Sequence, residues 1–358
     1  MKLLFSSLLA IGLLSSCGDK GEKSSSENNE TPKPTAAKVE LKASHKAIVQ
    51  ALPAVMESST NPLTDEKIAL GKMLYFDKRF SKNHDISCNS CHDVNKFGVD
   101  NKQFSPGHKG QLGGHNSPTV YNAALHVAQF WDGRAKDVEE QAKGPVLNPV
   151  EMAMPDEATV LTVINSIPEY VEAFKKAFPG DNSVTYDNFG KAIGAFERKL
   201  VTPSRYDAFA KGDENALTNE EKAGLVKFVD LGCATCHNGP ALGGSLYMKL
   251  GLVTPWPDLK DKGRADHTKN EADMHVFKVP SLRNIEKTGP YLHDGSVKTL
   301  EEMVSLMAKH QLGKTLSDDD VKSIVTFLKS LTGTPDADYI KAPKLPASTA
   351  STPKPNPN

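Results

Sequence analysis

Two pentapeptides carry the chemistry of this chain: Cys88-Asn89-Ser90-Cys91-His92 and Cys233-Ala234-Thr235-Cys236-His237. At the spacing C-x-x-C-H, two thiols can add to the two vinyl groups of one porphyrin, and the adjacent histidine lies under the iron as its proximal ligand. With five cysteines and eleven histidines in 358 residues, a single chance match is expected about 0.002 times. Two matches use every cysteine except Cys17. A Cys₄ or Cys₂His₂ zinc site and a redox dithiol both leave the following histidine without a role. Two covalently bound c-type haems are therefore expected, in two domains, because the motifs lie too far apart for one small cytochrome.

Each iron needs a second ligand or an open position, and that choice separates an electron carrier from an enzyme. His108 and His115 lie on a glycine-rich loop after the first motif, and spacing does not choose between them. His45, His84, His126, His267, His275 and His310 read as solvated or satisfied side chains. Methionine is the other common axial ligand and raises the reduction potential. The candidates after the second motif are Met248, Met274, Met303 and Met307, and core packing explains Met303 and Met307 equally well.

The elements that must position these residues are helical, so the fold class is all-α. Thr218 and Glu221 form a capping box ahead of Leu225, Val226 and Val229. Leu300, Met303, Val304 and Met307 share one helix face. Ser317 starts a last helix with Val321, Ile324, Val325 and Leu328, and Thr64 opens one near the front. Gly- and Pro-rich stretches at 105–118, 239–257 and 278–296 read as long loops that wrap the porphyrins. No repeat is visible beyond the duplicated haem motif.

Hydrophobic residues make up 38% of the chain, enough for real cores, and the net charge of −1 gives no electrostatic case for nucleic acid. No long uncharged apolar run follows the first twenty residues, which excludes a polytopic membrane protein. Residues 1–16 read as a secretory signal peptide. Leu14-Ser15-Ser16-Cys17 resembles a bacterial lipobox, which implies lipid on Cys17 and a membrane anchor. Residues 17–44 then read as a flexible linker, 45–201 as the first haem domain, 202–335 as the second, and 336–358 as a disordered tail.

Longer motifs surround the haem sites. They include Leu70-Gly71-Lys72-Met73-Leu74-Tyr75-Phe76-Asp77-Lys78-Arg79, Asn116-Ser117-Pro118-Thr119-Val120-Tyr121-Asn122 and Phe130-Trp131-Asp132-Gly133-Arg134. Asn148-Pro149-Val150-Glu151-Met152, Val279-Pro280-Ser281-Leu282-Arg283-Asn284 and Pro290-Tyr291-Leu292-His293-Asp294-Gly295 follow. Over about residues 50–335 the chain resembles the bacterial dihaem cytochrome c peroxidases. The resemblance implies two cytochrome c-like domains and a periplasmic enzyme that reduces hydrogen peroxide with electrons from a small cytochrome c or blue copper protein. The N-terminal haem would be the low-potential peroxidatic site and the C-terminal haem the high-potential entry.

By motif, His92 is then the first proximal ligand and His108 its detachable distal ligand. His237 and Met307 hold the second iron, and Trp131 lies between the haems. Gln141 and Glu151 stand over the peroxide pocket. Asn116, Thr288 and Pro290 bind a structural calcium, and His293 lies near the haems without ligating. The resemblance also allows a homodimer. Two other readings are a plain dihaem electron carrier and a dihaem oxidase that matures a tryptophan-derived quinone cofactor. Relatives of the latter kind lack the methionine ligand and the detachable histidine, both of which have counterparts here.

Overall fold

The computed structural model describes residues 39–180 and 182–358. The expected signal peptide, the Cys17 expected to carry lipid and most of the expected linker lie outside the described residues. Eight helices of nine residues or more carry the described fold: α1 (Asp65–Phe76), α2 (Val138–Leu147), α3 (Glu157–Asn165), α4 (Pro168–Ala177), α5 (Tyr186–Glu197), α6 (Asn219–Asp230), α7 (Leu300–Leu312) and α8 (Asp318–Lys329). Their starts follow local chemistry. The side chains of Thr64, Asp137, Thr185, Thr218, Thr299 and Ser317 each accept a backbone N–H of the first helical turn, satisfying donors that have no intrahelical partner. The one antiparallel strand pair among these residues, β1 (Tyr247–Lys249) with β2 (Val276–Lys278), sets Met248 opposite Phe277.

Two apolar cores result. In the first, Leu70, Leu74 and Tyr75 of α1 pack with Phe189, Ile193 and Phe196 of α5, beside Tyr170 and Phe174 of α4. In the second, Leu225 and Phe228 of α6 pack with Ile324 and Phe327 of α8, beside Tyr206 and Leu300. Both helix crossings are closed by a glycine. A Cβ on Gly71 would lie 1.8 Å from the Ala192 carbonyl oxygen, and one on Gly224 would lie 2.1 Å from that of Ser323. The halves meet at Thr202, whose hydroxyl accepts from Asn122 Nδ2 at 2.9 Å and from Asn284 Nδ2 at 2.8 Å.

The ends depart from the sequence reading. Residues 39–52 belong with the second core, not with a linker or with the first haem domain. His45 Nε2 pairs with Asp230 at 3.0 Å, Tyr206 Oη donates to the Ile48 carbonyl at 3.2 Å, and Leu52 N donates to Asp207 at 2.7 Å. Buried Arg283 joins them, with Asp207 at 2.8 Å and the Gln50 carbonyl at 3.1 Å.

At the other end, the segment 336–358 expected to be disordered is docked on the first half. Tyr339 stacks on Phe196 with centroids 5.3 Å apart, and Ile340 is buried. Thr349 Oγ1 donates to the Ser166 carbonyl at 2.8 Å, and Asn356 N donates to the Lys82 carbonyl at 2.9 Å. The composition is that of a disordered segment. A few side chains seated in preformed sites nevertheless suffice to order it, because prolines leave such a chain less entropy to lose.

A buried ion pair fixes α2 against α5. Glu139 accepts from Arg198 Nε at 2.7 Å, from Arg198 Nη2 at 2.8 Å and from Asn61 at 2.9 Å. Burial pushes the Glu139 carboxyl upward, but Arg198 and Asn61 outweigh it and hold it below its ordinary range. The neighbouring Glu197 is pushed up to about 8 by burial and by the charge on Glu139. A carboxyl whose folded pKa is depressed stabilises the fold above its unfolded pKa, and that contribution is lost as pH falls through the folded value. Glu139→Gln leaves Arg198 buried without its counter-charge. We expect a loss of about 3–5 kcal/mol at pH 7 in chemical denaturation, with the difference from wild type shrinking as pH falls below about 4.

Candidate functional site

Cys88–Cys91 forms a single helical turn that ends at His92. His92 Nδ1 lies 2.9 Å from the Pro118 carbonyl, while Tyr75 Oη donates to the His92 carbonyl at 2.5 Å. The second motif repeats the device, with His237 Nδ1 lying 3.3 Å from the Leu242 carbonyl. A carbonyl on Nδ1 fixes the tautomer and leaves Nε2 free to ligate. Burial lowers the pKa of both imidazoles, that of His237 to about 4, so both stand neutral as ligands must. Burial also pushes all four thiols up, Cys233 to about 11. That is the reverse of a redox-active dithiol. The four cysteines are unpaired, and no three His, Cys, Asp or Glu side chains among the described residues converge on a metal-binding position. A Cys₄ zinc site is thereby excluded.

One cavity gathers much of what the sequence singled out. Cys233, Cys236, His237 and Met307 line it together with Trp131 and His293, and Asn116, Thr288 and Pro290 reach its edge. Leu300, Met303, Val304 and Met307 all face it from α7, and Met248 enters from β1. Met274 does not line it. Such walls suit the apolar faces of a porphyrin, and thiols and an Nδ1-anchored histidine stand where a c-type haem attaches. The fit is good.

Trp131 Nε1 donates to the Asn116 carbonyl at 2.9 Å, and Asn116 N donates to the His293 carbonyl at 2.7 Å. The Trp131 and His293 rings meet edge to face at 6.4 Å, and His293 stacks on Phe277 at 4.3 Å. The two residues occupy corresponding places in their halves. Asn122 and Asn284 both adopt left-handed backbone and start a short turn; Phe130 and Leu292 are then left-handed, as are Gly133 and Gly295. Trp131-Asp132-Gly133 thus matches His293-Asp294-Gly295.

Of the remaining predicted residues, His108 and Glu151 come together. Beside the first motif, the Ser105 and Ser117 hydroxyls share a hydrogen bond at 2.7 Å. His108 is buried, and its backbone N–H is shared by the carbonyls of Val150, at 3.1 Å, and Glu151, at 2.7 Å. No hydrogen bond from its imidazole occurs among the described residues. His115 is engaged, with Nε2 2.6 Å from Asp261 Oδ2. Geometry therefore separates two histidines that spacing left equal.

Gly107 is required by close contact, since a Cβ there would lie 1.9 Å from the Val150 oxygen. The turn carrying Glu151 is pinned to the end of α2, with Met152 N to Pro145 O at 3.2 Å and Met154 N to Val146 O at 2.9 Å. The same helix carries half-buried Gln141. Burial raises the Glu151 carboxyl above its ordinary range, against smaller downward pulls from Arg134 and Asn148.

Around the expected calcium position several backbone carbonyls gather. Asn116 Nδ2 donates to the carbonyls of Lys102 and Gln103, and Asn101 ties this segment to the carbonyls of Lys287 and Gly289. Asp100 Oδ2 is buried there without a partner. This donor set suits a hard cation. Sequence reasoning missed Asp100, Asp261 and the Asp207–Arg283 pair, whose partners lie far apart in the chain.

Residues 65–215 match the family described as di-haem cytochrome c peroxidase. The chain is 49% identical to cytochrome c551 peroxidase of Pseudomonas aeruginosa, over 84% of this chain and 88% of the relative. It is 50% identical to cytochrome c551 peroxidase of Nitrosomonas europaea, over 84% and 89%. The chain belongs to the di-haem cytochrome c peroxidase family. It is an oxidoreductase of that family, with two c-type haems and mostly helical domains. A solved MauG-like protein associated with microbial copper homeostasis superposes with a TM-score of 0.70 at 28% identity, over 82% of this chain and 96% of that one. MauG of Methylophilus methylotrophus is 32% identical over 80% of this chain and 88% of its own, so the peroxidase relatives are the nearer of these. No helix among the described residues is long and apolar enough to cross a membrane.

If each motif holds its own haem, replacing Cys233 and Cys236 by alanine halves the covalent haem per chain. Intact mass and the pyridine haemochrome spectrum should show one haem remaining, attached at Cys88 and Cys91.

Proposed function

We propose that this peroxidase reduces hydrogen peroxide to two waters at the first haem site, using electrons that enter at the second from a small cytochrome c or blue copper protein. When bound, the haems supply irons that exchange one electron each, and the first also offers an exchangeable position. The observation that carries the reading is the direct hydrogen bond from His108 N to the Glu151 carbonyl. It joins the segment of buried His108 to the segment of Glu151, which supports a shared role for the two side chains.

The chain's own residues divide the work. His108 would hold the first iron, and a shift of its loop would cost the bonds from His108 N to the carbonyls of Val150 and Glu151. The loop's internal bond, Gly107 N to Gln111 O at 2.7 Å, lets it move as a unit. Glu151 takes a proton from the inner peroxide oxygen and delivers it to the outer one, acting first as base and then as acid. Gln141 donates a hydrogen bond to the outer oxygen. The balance is one peroxide, two electrons and two protons to two waters. Trp131, edge-on to His293, gives an aromatic path between the halves. Calcium held by Asn116 with the carbonyls of Thr288 and Pro290 fixes the interface. The protein works in the periplasm, tethered through lipid on Cys17. The quinone-maturing reading is weaker, because Met307 lines the cavity beside the second motif and His108 matches the detachable histidine that such oxidases lack.

Glu151→Gln should keep both haems yet lose about 10²–10⁴-fold in kcat/KM, measured as peroxide consumption with a reduced small c-type cytochrome. Unchanged turnover would remove Glu151 from the mechanism. In the oxidised holoenzyme, one electron equivalent should convert the first iron from low to high spin; constant high spin would exclude release of His108.

A further inference from the structure

Lys278 and His126 form a buried pair that the peroxide chemistry leaves unused. Lys278 is 6% exposed, yet it makes no ion pair with any carboxylate among the described residues. Its one side-chain partner is His126 Nδ1, at 3.2 Å. An ammonium donates that bond, so His126 carries its proton on Nε2. That atom is buried without a partner. His126, read from sequence as a satisfied side chain, is therefore unsatisfied.

Both residues line the cavity that also holds Cys233, Cys236, His237 and Met307. The cavity thus contains one buried positive charge and one orphan N–H donor. An isolated buried charge is costly unless paired, and burial alone lowers the Lys278 pKa to about 8. The fold goes to some length to seat the pair. A Cβ on Gly244 would lie 2.2 Å from the His126 ring, so only glycine leaves room for it. Val127 N donates to the Gly244 carbonyl, and Gly244 N to the Val279 carbonyl, both at 2.7 Å. Lys278 N donates to the Trp131 carbonyl at 2.8 Å.

We propose that Lys278 Nζ and His126 Nε2 together bind a carboxylate of the second haem, one of its propionates, so that this group bridges the two halves beside Trp131. The proposal rests on the two-haem reading. His126 comes from the first half and Lys278 from the second, so the propionate supplies the anion that both lack. A cation held against the propionate disfavours the ferric state and raises the potential of the electron-entry haem.

The test uses the holoenzyme and its Lys278→Met, Lys278→Arg and His126→Phe variants. Haem count by pyridine haemochrome comes first; a single haem in the wild type would overturn the two-haem reading itself. With both haems present, Lys278→Met should lower the ferrous-to-ferric ratio of the second haem about tenfold at fixed poise, about 59 mV for a one-electron couple. Lys278→Arg should restore most of the ratio. The propionate bending band of the second haem in resonance Raman spectra should move in Lys278→Met and in His126→Phe, while that of the first haem stays fixed. If Lys278→Met fails to load haem, His126→Phe and Lys278→Arg carry the Raman comparison. The proposal is overturned if neither the potential nor the band of the second haem moves in any loaded variant, or if the first haem moves instead.

Discussion

Each proximal histidine commits Nδ1 to a backbone carbonyl, and much of the architecture follows from that commitment. An imidazole that must stay neutral and aim Nε2 at one point needs its other nitrogen held. The carbonyl must therefore return to the motif from further along the chain, from Pro118 in one half and Leu242 in the other. In the first half the returning segment runs straight on into Asn122, the residue that starts the next turn. In the second half it is held in place by Arg283, whose Nε donates to the Pro240 carbonyl at 2.8 Å. The chemistry of a five-residue motif is thus supported by Pro118 in one half and by Arg283, through Pro240, in the other, both tens of positions from the motif or segment they hold.

The two halves carry the same plan, and matched parts of it meet. Asn122 and Asn284 share the Thr202 hydroxyl. The turns that follow them deliver Trp131 and His293 to one another at the interface. The correspondence is hidden in sequence because the matched positions differ in chemistry, tyrosine against arginine before the asparagine and tryptophan against histidine after it. Trp131 packs edge-on to His293, and His293 also reaches Asp261, at 3.7 Å. Divergence at the meeting point suits the asymmetric pair of sites proposed above, in which one half takes electrons in and the other spends them.

What could be read directly was whatever local spacing determines. The haem motifs are contiguous, and the helix starts at Thr218 and Ser317 are written by cap residues within one turn. The stripe Leu300, Met303, Val304 and Met307 follows from helical period, and all four residues do face the cavity. What could not be read were pairings set by packing: Glu139 with Arg198, Asp207 with Arg283, Lys278 with His126. Each member alone looks like an ordinary charged or polar residue, and only the fold removes its water. The segment after residue 335 is hidden for a related reason. Its composition is local, but the seats for Tyr339, Thr349 and Asn356 lie elsewhere in the chain.

The crossed ends bear on how the molecule comes apart. The amino-terminal strap is fastened to Asp207 and Arg283, and the carboxyl-terminal strap to Phe196 and Ser166. A fragment cut at residue 201 would keep the front strap without its dock and lose the strap that covers its own core. Melting of either half sets free a piece of the other, so the body should lose structure in one cooperative transition rather than two. A protease that trims the last twenty residues would then weaken the half farthest from the cut in sequence.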